Sequence, residues 1–248
     1  MAPSFEGKSV LVTGGSRGIG RGIALRFAEL GAARVAISYL RNDRAAEDTA
    51  AELRARGAEA ATLRGNVGDP EKARRIVAEA GRLDVLVSNA ATGVIRSVEE
   101  LTERHWDWTL NANARALLTL ARHSAPEMRA GSSIVAITSL GSERVLPHYA
   151  LVGTSKAALE ALVRYLAVEL APLGIRVNAV SAGLVETSAL DFFPDRDEMI
   201  AEFRRRTPAG RLVDPRHVAD AVCFLCSPEA EMIRGQAVVV DGGHSLLA

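Results

Sequence analysis

The sequence predicts one α/β domain in which a parallel β-sheet is covered by helices on both faces. Three observations lead to this prediction. Short apolar runs alternate with longer amphipathic stretches, the first run leads directly into a glycine-rich turn, and no linker, repeat or low-complexity segment interrupts the 248 residues. Apolar strands separated by helices are typical of βαβ units, whose parallel sheets are doubly wound and buried on both sides.

Seven short apolar runs predict the strands of this sheet. In chain order, the predicted strands are residues 9–13, 34–38, 58–63, 84–88, 133–138, 175–180 and 237–240. Because the runs are largely apolar rather than strictly alternating, we expect strands that are buried on both faces.

The stretches between these runs carry apolar residues at helical spacing with charged residues between them. The predicted helices are residues 18–30, 44–56, 70–80, 102–128, 149–170 and 215–226. Together with the strands they account for a single domain over residues 1–248.

Residues 187–206 are predicted to form a polar, helical insertion in this alternation. It contains five large apolar residues, which are Leu190, Phe192, Phe193, Met199 and Phe203. Such residues on an insertion suit a lid over an apolar substrate, with plain core packing as the alternative. At its end, Arg204, Arg205 and Arg206 either attract a negatively charged partner or form a solvated face.

Charge and hydropathy exclude several classes of partner. Lys and Arg number 30, as do Asp and Glu, so the formal net charge is zero and neither a nucleic acid nor an anionic membrane is expected as a partner. No stretch approaches the ~18 apolar residues of a membrane span. The N-terminus lacks the layout of a signal peptide, and the histidines lack metal-ligand spacing, so no metal site is predicted.

The two cysteines, Cys223 and Cys226, form a C-x-x-C pair that invites a redox or metal interpretation. They lie in an apolar helical pattern, however, and no second cysteine pair accompanies them. We therefore predict buried structural cysteines. With no disulfide framework, a reducing cytoplasm is the expected location.

The strongest functional signal is the sequence Thr-Gly-Gly-Ser-Arg-Gly-Ile-Gly at residues 13–20, between the first strand and the first helix. Glycine permits a tight turn and a close approach of the backbone to a phosphate. The helix N-terminus adds unpaired N–H groups and the positive end of the helix dipole. In this strand–helix context, the turn predicts a dinucleotide pyrophosphate beside Gly14, Gly18 and Gly20.

The glycine spacing, G-x-x-x-G-x-G, resembles that of the short-chain dehydrogenase/reductase family, and further family motifs follow in order. Residues 88–91 (Ser-Asn-Ala-Ala) resemble the family's Asn-Asn-Ala-Gly, residues 175–183 resemble the stretch beside the nicotinamide, and residues 241–243 (Asp-Gly-Gly) end the last strand as expected. Asn113 and Ser139 match the family's catalytic Asn and Ser. The resemblance covers essentially the whole chain and implies a Rossmann-type oxidoreductase.

The resemblance also assigns residues to the cofactor. The expected contacts are Gly14, Ser16, Arg17, Gly18, Ile19, Gly20, Arg41, Asn66, Val67, Asn89, Ala90, Tyr149, Lys156, Gly183, Val185 and Thr187. In this chain Asn66 replaces the Asp that the family usually has near the adenine, and Ala182 replaces the usual Pro.

The end of the second strand indicates which dinucleotide is bound. An acidic residue there would bind the ribose hydroxyls and select NAD, but no acid precedes Asp43. Arg41 lies at this edge and Arg17 lies in the glycine-rich turn. Because Arg can bind a 2′-phosphate bidentately, NADPH is the predicted cofactor, the alternative being that both arginines are merely solvated.

The catalytic pair has an unusual spacing. The family normally carries Tyr-x-x-x-Lys, whereas Val152 lies four residues before Lys156 and the nearby tyrosine is Tyr149, seven residues before it. On a helix, four residues turn through about 400° and seven through about 700°, so either spacing puts both side chains on one face. The rise grows from about 6 Å to about 10.5 Å. This argument expects the helix to have begun by Tyr149, just after Pro147.

Within the family, the seven-residue spacing resembles enoyl-acyl-carrier-protein reductases, and the local sequence is similar to the NADPH-dependent type III enzymes at residues 89–94, 105–109, 139–142, 152–162 and 232–236. The resemblance implies hydride transfer to the β-carbon of a trans-2-enoyl thioester in acyl-chain biosynthesis. Tyr149 would hydrogen-bond the thioester oxygen and Lys156 would hold the ribose and lower the pKa of Tyr149. Ser139 would help hold the thioester, and Asn113 would shape the site.

Two other functions remain open. One is a ketoreductase or other carbonyl reductase, in which Tyr149 gives its proton directly to a carbonyl; the other is a non-catalytic NADPH sensor. The sequence leaves open whether acyl-carrier protein or coenzyme A carries the substrate. The family resemblance implies a homotetramer or homodimer formed through the long helices at 102–128 and 149–170. His148, which adjoins Tyr149, is expected to have a local structural role.

Overall fold

A computed structural model describes residues 3–187 and 196–247. Its strands form one parallel sheet in the order β3-β2-β1-β4-β5-β6-β7. The strands are β1 Ser9–Val12, β2 Arg34–Tyr39, β3 Glu59–Arg64, β4 Val85–Ser88, β5 Ser133–Ser139, β6 Arg176–Ala182 and β7 Ala237–Val240. The predicted doubly wound, seven-stranded sheet is confirmed.

The helices cover both faces of this sheet, because successive strand residues point to opposite sides. Val10 and Val12 pack with α1, α2 and α8, whereas Leu11 packs with α3, α5 and α6. The helices are α1 Gly18–Glu29, α2 Asp43–Ala55, α3 Pro70–Ala80, α4 Glu103–Leu110, α5 Ala116–Ser124, α6 Ala150–Glu169, α7 Arg196–Arg206 and α8 Pro215–Cys226.

The register of β1 locates the crevice in which a ligand would bind. Val10 pairs with Val35 of β2 on one side and with Val85 of β4 on the other. The chain thus winds away from β1 in both directions. In open α/β sheets, ligands bind outside the carboxyl ends of the strands at such a switch point.

The long helical region predicted over 102–128 is present, but it is not one regular α-helix. A π-helical turn, Asn111–Arg115, separates α4 from α5, and a short 3₁₀ turn, Ala125–Glu127, follows. A π turn inserts an extra residue into the helical ladder and often marks a functional site. Here it brings Asn113 inward, as described below.

The predicted insertion is described only in part. Residues 196–206 form α7, while 188–195, which include Leu190, Phe192 and Phe193, lie outside the described residues. Among residues 3–187 and 196–247, no helix is long and apolar enough to cross a membrane.

The C-x-x-C pair belongs to the core, as predicted. Cys223 and Cys226 are free and buried in α8, and the Arg176 guanidinium donates to the carbonyl oxygen of Cys226 at 3.0 Å. Burial raises the pKa of the Cys226 thiol to about 12. The thiols are therefore protonated and inert at neutral pH.

Candidate active site

The glycine-rich turn forms a cradle at the carboxyl end of β1. Gly14 and Gly18 adopt left-handed backbone conformations, with φ of +64° and +54°. A Cβ atom added to Gly20 would overlap the carbonyl oxygen of Gly14 and the side-chain amide of Asn89. Only glycine therefore fits this close crossing of turn and helix. The helix α1 begins here with no acidic residue in its first turn and no side-chain cap from Arg17, so its positive end faces the cradle.

Hydrogen bonds join the cradle to the end of β4. The Thr13 hydroxyl accepts from the backbone N–H groups of Asn89 and Ala90 at 2.9 and 3.0 Å. In return, the Asn89 amide donates to the carbonyl oxygens of Thr13 and Gly14 at 2.8 and 3.2 Å. The two strand ends at the switch point are thereby fixed relative to each other.

Two predicted contacts inside the turn also take part in packing. Ser16 is nearly buried and its carbonyl oxygen accepts from the Thr49 hydroxyl at 3.2 Å, which ties the turn to α2. Ile19 is half-buried against the core. The turn is therefore anchored by a hydrogen bond to α2 and by packing against the core.

At the edge of β2, Arg17 and Arg41 are both exposed. Among the described residues, neither guanidinium makes a hydrogen bond or ion pair. Asp43, the nearest acid in the sequence, lies 3.6 Å from the Arg64 guanidinium. Its carboxylate also forms a hydrogen bond with Tyr39, which raises the pKa of this tyrosine. Its charge is thus engaged at the start of α2, and the two free cations suit the phosphate expected here.

Other predicted cofactor residues border the same crevice. Asn66 accepts from the Gly68 N–H at 3.0 Å through its side-chain oxygen, and its neighbour Val67 is buried. Thr187 lies beside Gly18, since a Cβ there would be 3.5 Å from the Thr187 methyl group.

Behind the crevice, β6 continues into a segment that is held by the last strand and by the start of α8. The Gly183 N–H donates to Val240 at 2.9 Å, and Val185 forms a bridge with Val213. Both residues follow the carboxyl end of β6 and therefore lie at the same edge of the parallel sheet as the cradle.

The structure brings Tyr149 and Ser139 together. Ser139 is the last residue of β5, and its hydroxyl lies 3.5 Å from the Tyr149 hydroxyl. The Tyr149 ring lies against Gly141, where a Cβ would be 2.5 Å from the ring atom Cε1. A side chain at Gly141 would therefore displace the tyrosine.

A tight turn before α6 gives Tyr149 this position. Tyr149 donates its N–H to Leu146 at 3.3 Å, with Pro147 and His148 between them, and His148 has φ +59°. Pro followed by a residue with positive φ is the pattern of a type II turn. The helix begins one residue later than expected: Tyr149 is the cap of α6, which begins at Ala150.

The position four residues before Lys156 is part of the core. Val152 is buried and lies so close to Gly93 that a Cβ on this glycine would overlap its side chain. Thr109 borders the same contact. No tyrosine stands at this position, so the hydroxyl that reaches Ser139 comes from the cap of the helix.

Lys156 is buried, 6% exposed, and lies nearly two turns after Tyr149 (about 100° per residue). Its ammonium donates to the Ile137 carbonyl oxygen at 2.8 Å. Burial lowers the pKa of Lys156 to about 8, and the Glu160 carboxylate opposes this shift.

The expected lowering of the Tyr149 pKa by Lys156 is not what the structure shows. Burial raises the pKa of Tyr149, and the hydrogen bond with Ser139 opposes this rise. The Lys156 ammonium is instead held by β5 through Ile137.

Asn113 binds the backbone of the loop that follows β4. In the π turn it is 1% exposed, and its amide accepts from the Thr92 N–H and donates to the Thr92 carbonyl oxygen, both at 2.8 Å. A further bond of 2.8 Å joins it to the Ser155 hydroxyl, next to Lys156. Its side chain therefore fixes the loop against α6.

Sequence reasoning missed Thr92, Ser155 and Glu160. Ser155 adjoins the predicted lysine, and Glu160 is an acid one helical turn after it within an otherwise apolar stretch. An isolated acid on the buried face of a helix is a signal that could have identified Glu160.

The described part of the insertion packs on the C-terminal segment. The Phe203 ring stacks on His244 with centroids 4.1 Å apart, which is packing rather than exposure as a lid. Arg204 pairs with Glu186 at 3.2 Å, and Arg205 pairs with Glu202. These pairings favour the solvated-face interpretation for both arginines.

Comparisons with known proteins agree with this geometry. Residues 14–245 match the family model described as Enoyl-(Acyl carrier protein) reductase. A 1-cyclohexenylcarbonyl-CoA reductase of Streptomyces collinus is 39% identical over 96% of this chain and 87% of the relative. A hydroxynaphthalene reductase-like protein, Arp2 of Metarhizium anisopliae, is 34% identical over 97% of this chain and 96% of the relative.

Two solved structures match this chain along almost its whole length. A short-chain dehydrogenase from Burkholderia cenocepacia in complex with NADP has a TM-score of 0.90 and 35% identity, covering 97% of this chain and 99% of that one. A blue fluorescent protein from a metagenomic library in complex with NADPH has a TM-score of 0.91 and 32% identity, covering 98% and 99%.

Proposed function

This chain belongs to the short-chain dehydrogenase/reductase family, and we propose that it reduces the 2,3 double bond of a trans-2-enoyl thioester with NADPH. The observation that carries this proposal is the catalytic turn, defined as residues 139–153. There the tyrosine hydroxyl reaches Ser139 from the cap of α6, while Val152 fills the position that the ketoreductase spacing assigns to tyrosine. The acid is therefore displaced relative to a ketoreductase.

The cradle fits a dinucleotide. Gly20 lets the turn cross tightly over the start of α1, whose unpaired N–H groups and positive end suit a pyrophosphate. Arg17 and Arg41 are exposed cations at the edge where a 2′-phosphate distinguishes NADPH from NADH. The cofactor complexes of the two solved relatives support the same choice.

Bound NADPH supplies the hydride that an enoyl thioester accepts at its β-carbon. The chain supplies the groups that bind the resulting enolate, and a proton taken up from solvent at the α-carbon completes the reduction. Tyr149 donates its hydroxyl proton in a hydrogen bond to the thioester oxygen, where negative charge develops. Because burial raises the pKa of Tyr149, the hydroxyl keeps its proton at neutral pH and remains a donor. Ser139 orients this hydroxyl, and Lys156 offers its remaining N–H donors to the ribose.

The Streptomyces relative supports an enoyl substrate. By its name it acts on 1-cyclohexenylcarbonyl-CoA, a thioester whose carbonyl is conjugated to a carbon–carbon double bond. The same relative favours coenzyme A as the carrier and a double bond that is substituted at the α-carbon. The Metarhizium relative is not named for a thioester substrate, and a carbonyl reductase is therefore the second candidate.

The decisive experiment follows NADPH oxidation with matched enoyl and 3-oxoacyl thioesters. Crotonyl-CoA and 1-cyclohexenylcarbonyl-CoA are compared with acetoacetyl-CoA, each also on acyl-carrier protein and each with NADH. We expect turnover of the enoyl thioesters and a preference for NADPH. If acetoacetyl-CoA alone were turned over, the enoyl reductase proposal would be wrong and the chain would be a ketoreductase. Binding of NADPH without turnover of any member would favour a sensor.

A cytoplasmic location and a homotetramer or homodimer are part of this proposal. Both follow from the family resemblance. Size-exclusion chromatography with light scattering measures the assembly, and a monomer at micromolar concentration would contradict it.

A further inference from the structure

One buried acid has no role in the reaction proposed above. Glu160 lies on α6, one turn after Lys156, and is 7% exposed. Its carboxylate accepts a 2.6 Å hydrogen bond from the Thr138 hydroxyl. Charged residues are rarely buried unless they are paired. The free energy needed to bury this carboxylate therefore points to a function.

Glu160 and Lys156 bind consecutive residues of the same strand. Lys156 donates to the Ile137 carbonyl oxygen, and Glu160 accepts from Thr138. Both partners lie in β5, immediately before Ser139. Both side chains are thus bound to one short segment of β5 that leads into Ser139.

We propose that Glu160 is a positioning residue that keeps Lys156 protonated and ready to bind the NADPH ribose. A buried ammonium without a counter-ion loses its proton easily, because the low-dielectric interior disfavours its charge. A neutral lysine has one N–H fewer and no charge to offer to the ribose oxygens. The inference rests on the proposed function, since it assumes that NADPH is the ligand.

Around Lys156, Glu160 is the charged group that stabilises the protonated form of the lysine. Burial lowers the pKa of Lys156 to about 8, and among the described residues the opposing influence is Glu160. On α6 and its cap, Tyr149 also faces this side, and its own pKa is raised, so it is neutral. The strand β5 and the turn 140–142 carry no titratable side chain.

The remaining elements packed against α6 do not add a competing charge. The Arg176 guanidinium of β6 is bound to carbonyl oxygens of Cys226 and Ser227. The other titratable side chains of these elements are exposed or half-exposed; they are Glu103, Arg104, His105, Asp107, Arg115, Arg122 and His123.

The test is the pH dependence of NADPH binding, measured by cofactor fluorescence between pH 6.5 and 9 on the full chain. In the wild type, affinity should fall as pH rises through about 8, because Lys156 loses its proton there. Glu160→Gln keeps the acceptor for Thr138 but removes the charge, so the midpoint should move down by about one pH unit. At pH 8 its affinity should be about fivefold below that of the wild type, and at pH 6.5 the two should be similar.

Thr138→Val is the matched control, since it removes the hydrogen bond and leaves the carboxylate. The pH midpoint of its NADPH affinity should equal that of the wild type. An unchanged midpoint in Glu160→Gln, or an equal shift in Thr138→Val, would overturn the proposal and leave Glu160 with a structural role. If the wild type does not bind NADPH, the proposed function fails rather than this inference.

Unfolding measurements cover the case in which Glu160→Gln does not fold or NADPH does not bind. Lys156→Met leaves a buried carboxylate without its counter-charge, so Lys156→Met/Glu160→Gln should unfold at higher denaturant concentration than Lys156→Met alone. A double variant that is less stable than Lys156→Met would show that the two side chains are not coupled and would overturn the inference.

Discussion

The cradle at residues 13–20 and the catalytic turn at residues 139–153 are built in opposite ways. In the cradle, backbone atoms approach each other where Gly20 crosses Gly14, and no side chain can be added at Gly20. In the catalytic turn, a single side chain, Tyr149, supplies the hydroxyl, and it stands outside the helix that carries Lys156. A site made of backbone is fixed by the fold, whereas the catalytic hydroxyl depends on one side chain and on the turn that holds it.

The largest effect should come from removing that hydroxyl. We expect Tyr149→Phe to lower kcat by about 100- to 1,000-fold, because it removes the donor to the developing negative charge. NADPH affinity and thermal stability should change little. The matched control is Tyr165→Phe, on the same helix with 69% exposure, which should keep full activity. Steady-state kinetics on crotonyl-CoA measure both, and equal activity of the two variants would remove Tyr149 from the mechanism.

The cradle should instead fail at the binding step. In Gly20→Ala the new methyl group overlaps the Gly14 carbonyl oxygen and the Asn89 amide, so the backbone must shift. We expect the NADPH dissociation constant to rise by about 100-fold, or ~2.7 kcal/mol, and the free energy of unfolding to fall by ~1–3 kcal/mol.

A glycine in open space provides the control for this change. Gly57 has φ +87° and no neighbour within 4 Å of an added Cβ. Gly57→Asn should leave NADPH binding unchanged, because Asn tolerates left-handed backbone. Fluorescence titration and chemical denaturation decide the comparison, and wild-type affinity in Gly20→Ala would contradict the cradle.

The turn at His148 sharpens the contrast, because here the catalytic turn does depend on backbone geometry. His148 is the one non-glycine residue with positive φ among residues 3–187 and 196–247. A β-branched residue disfavours this conformation by a further ~1–2 kcal/mol. We expect His148→Val to lower kcat about tenfold by displacing Tyr149, while His148→Gly should retain wild-type kcat and stability. Comparable losses in both variants would assign the role to the imidazole.

The smallest effect is expected at the outer edge of the cradle. Arg41→Ala should weaken NADPH binding about fivefold, or ~1 kcal/mol, because an exposed ion pair is screened by solvent. NADH binding should not change. Arg44→Ala is the control, since its side chain is 93% exposed and already lies 3.9 Å from Asp48. Equal losses for NADPH and NADH would show that Arg41 does not read the 2′-phosphate.

The sequence predicted the sheet and the cradle better than the catalytic turn. All seven strands and most helices lie within one or two residues of their predicted bounds, because apolar runs and caps are local signals. For example, helix α3 begins after Asp69, which caps it, and at Pro70, where a proline is favoured.

Features that depend on distant contacts were not predictable in this way. The π turn at Asn113 follows from bonds to Thr92 and Ser155, which no local pattern encodes. The cap position of Tyr149 required the left-handed His148, which sequence reasoning assigned only a local role. Likewise, the bond of Lys156 to Ile137 and the burial of Glu160 depend on how α6 packs on β5.

The contact between Gly93 and Val152 limits which residues can occupy these two positions. The two residues occupy one shared volume, since a Cβ at position 93 would overlap the valine side chain. A side chain larger than hydrogen at 93 therefore requires a smaller residue at 152, and a tyrosine introduced at 152 requires the loop after β4 to move. We expect homologues with a side chain at position 93 to carry a residue smaller than valine at position 152, and homologues with the four-residue spacing to differ in the path of this loop.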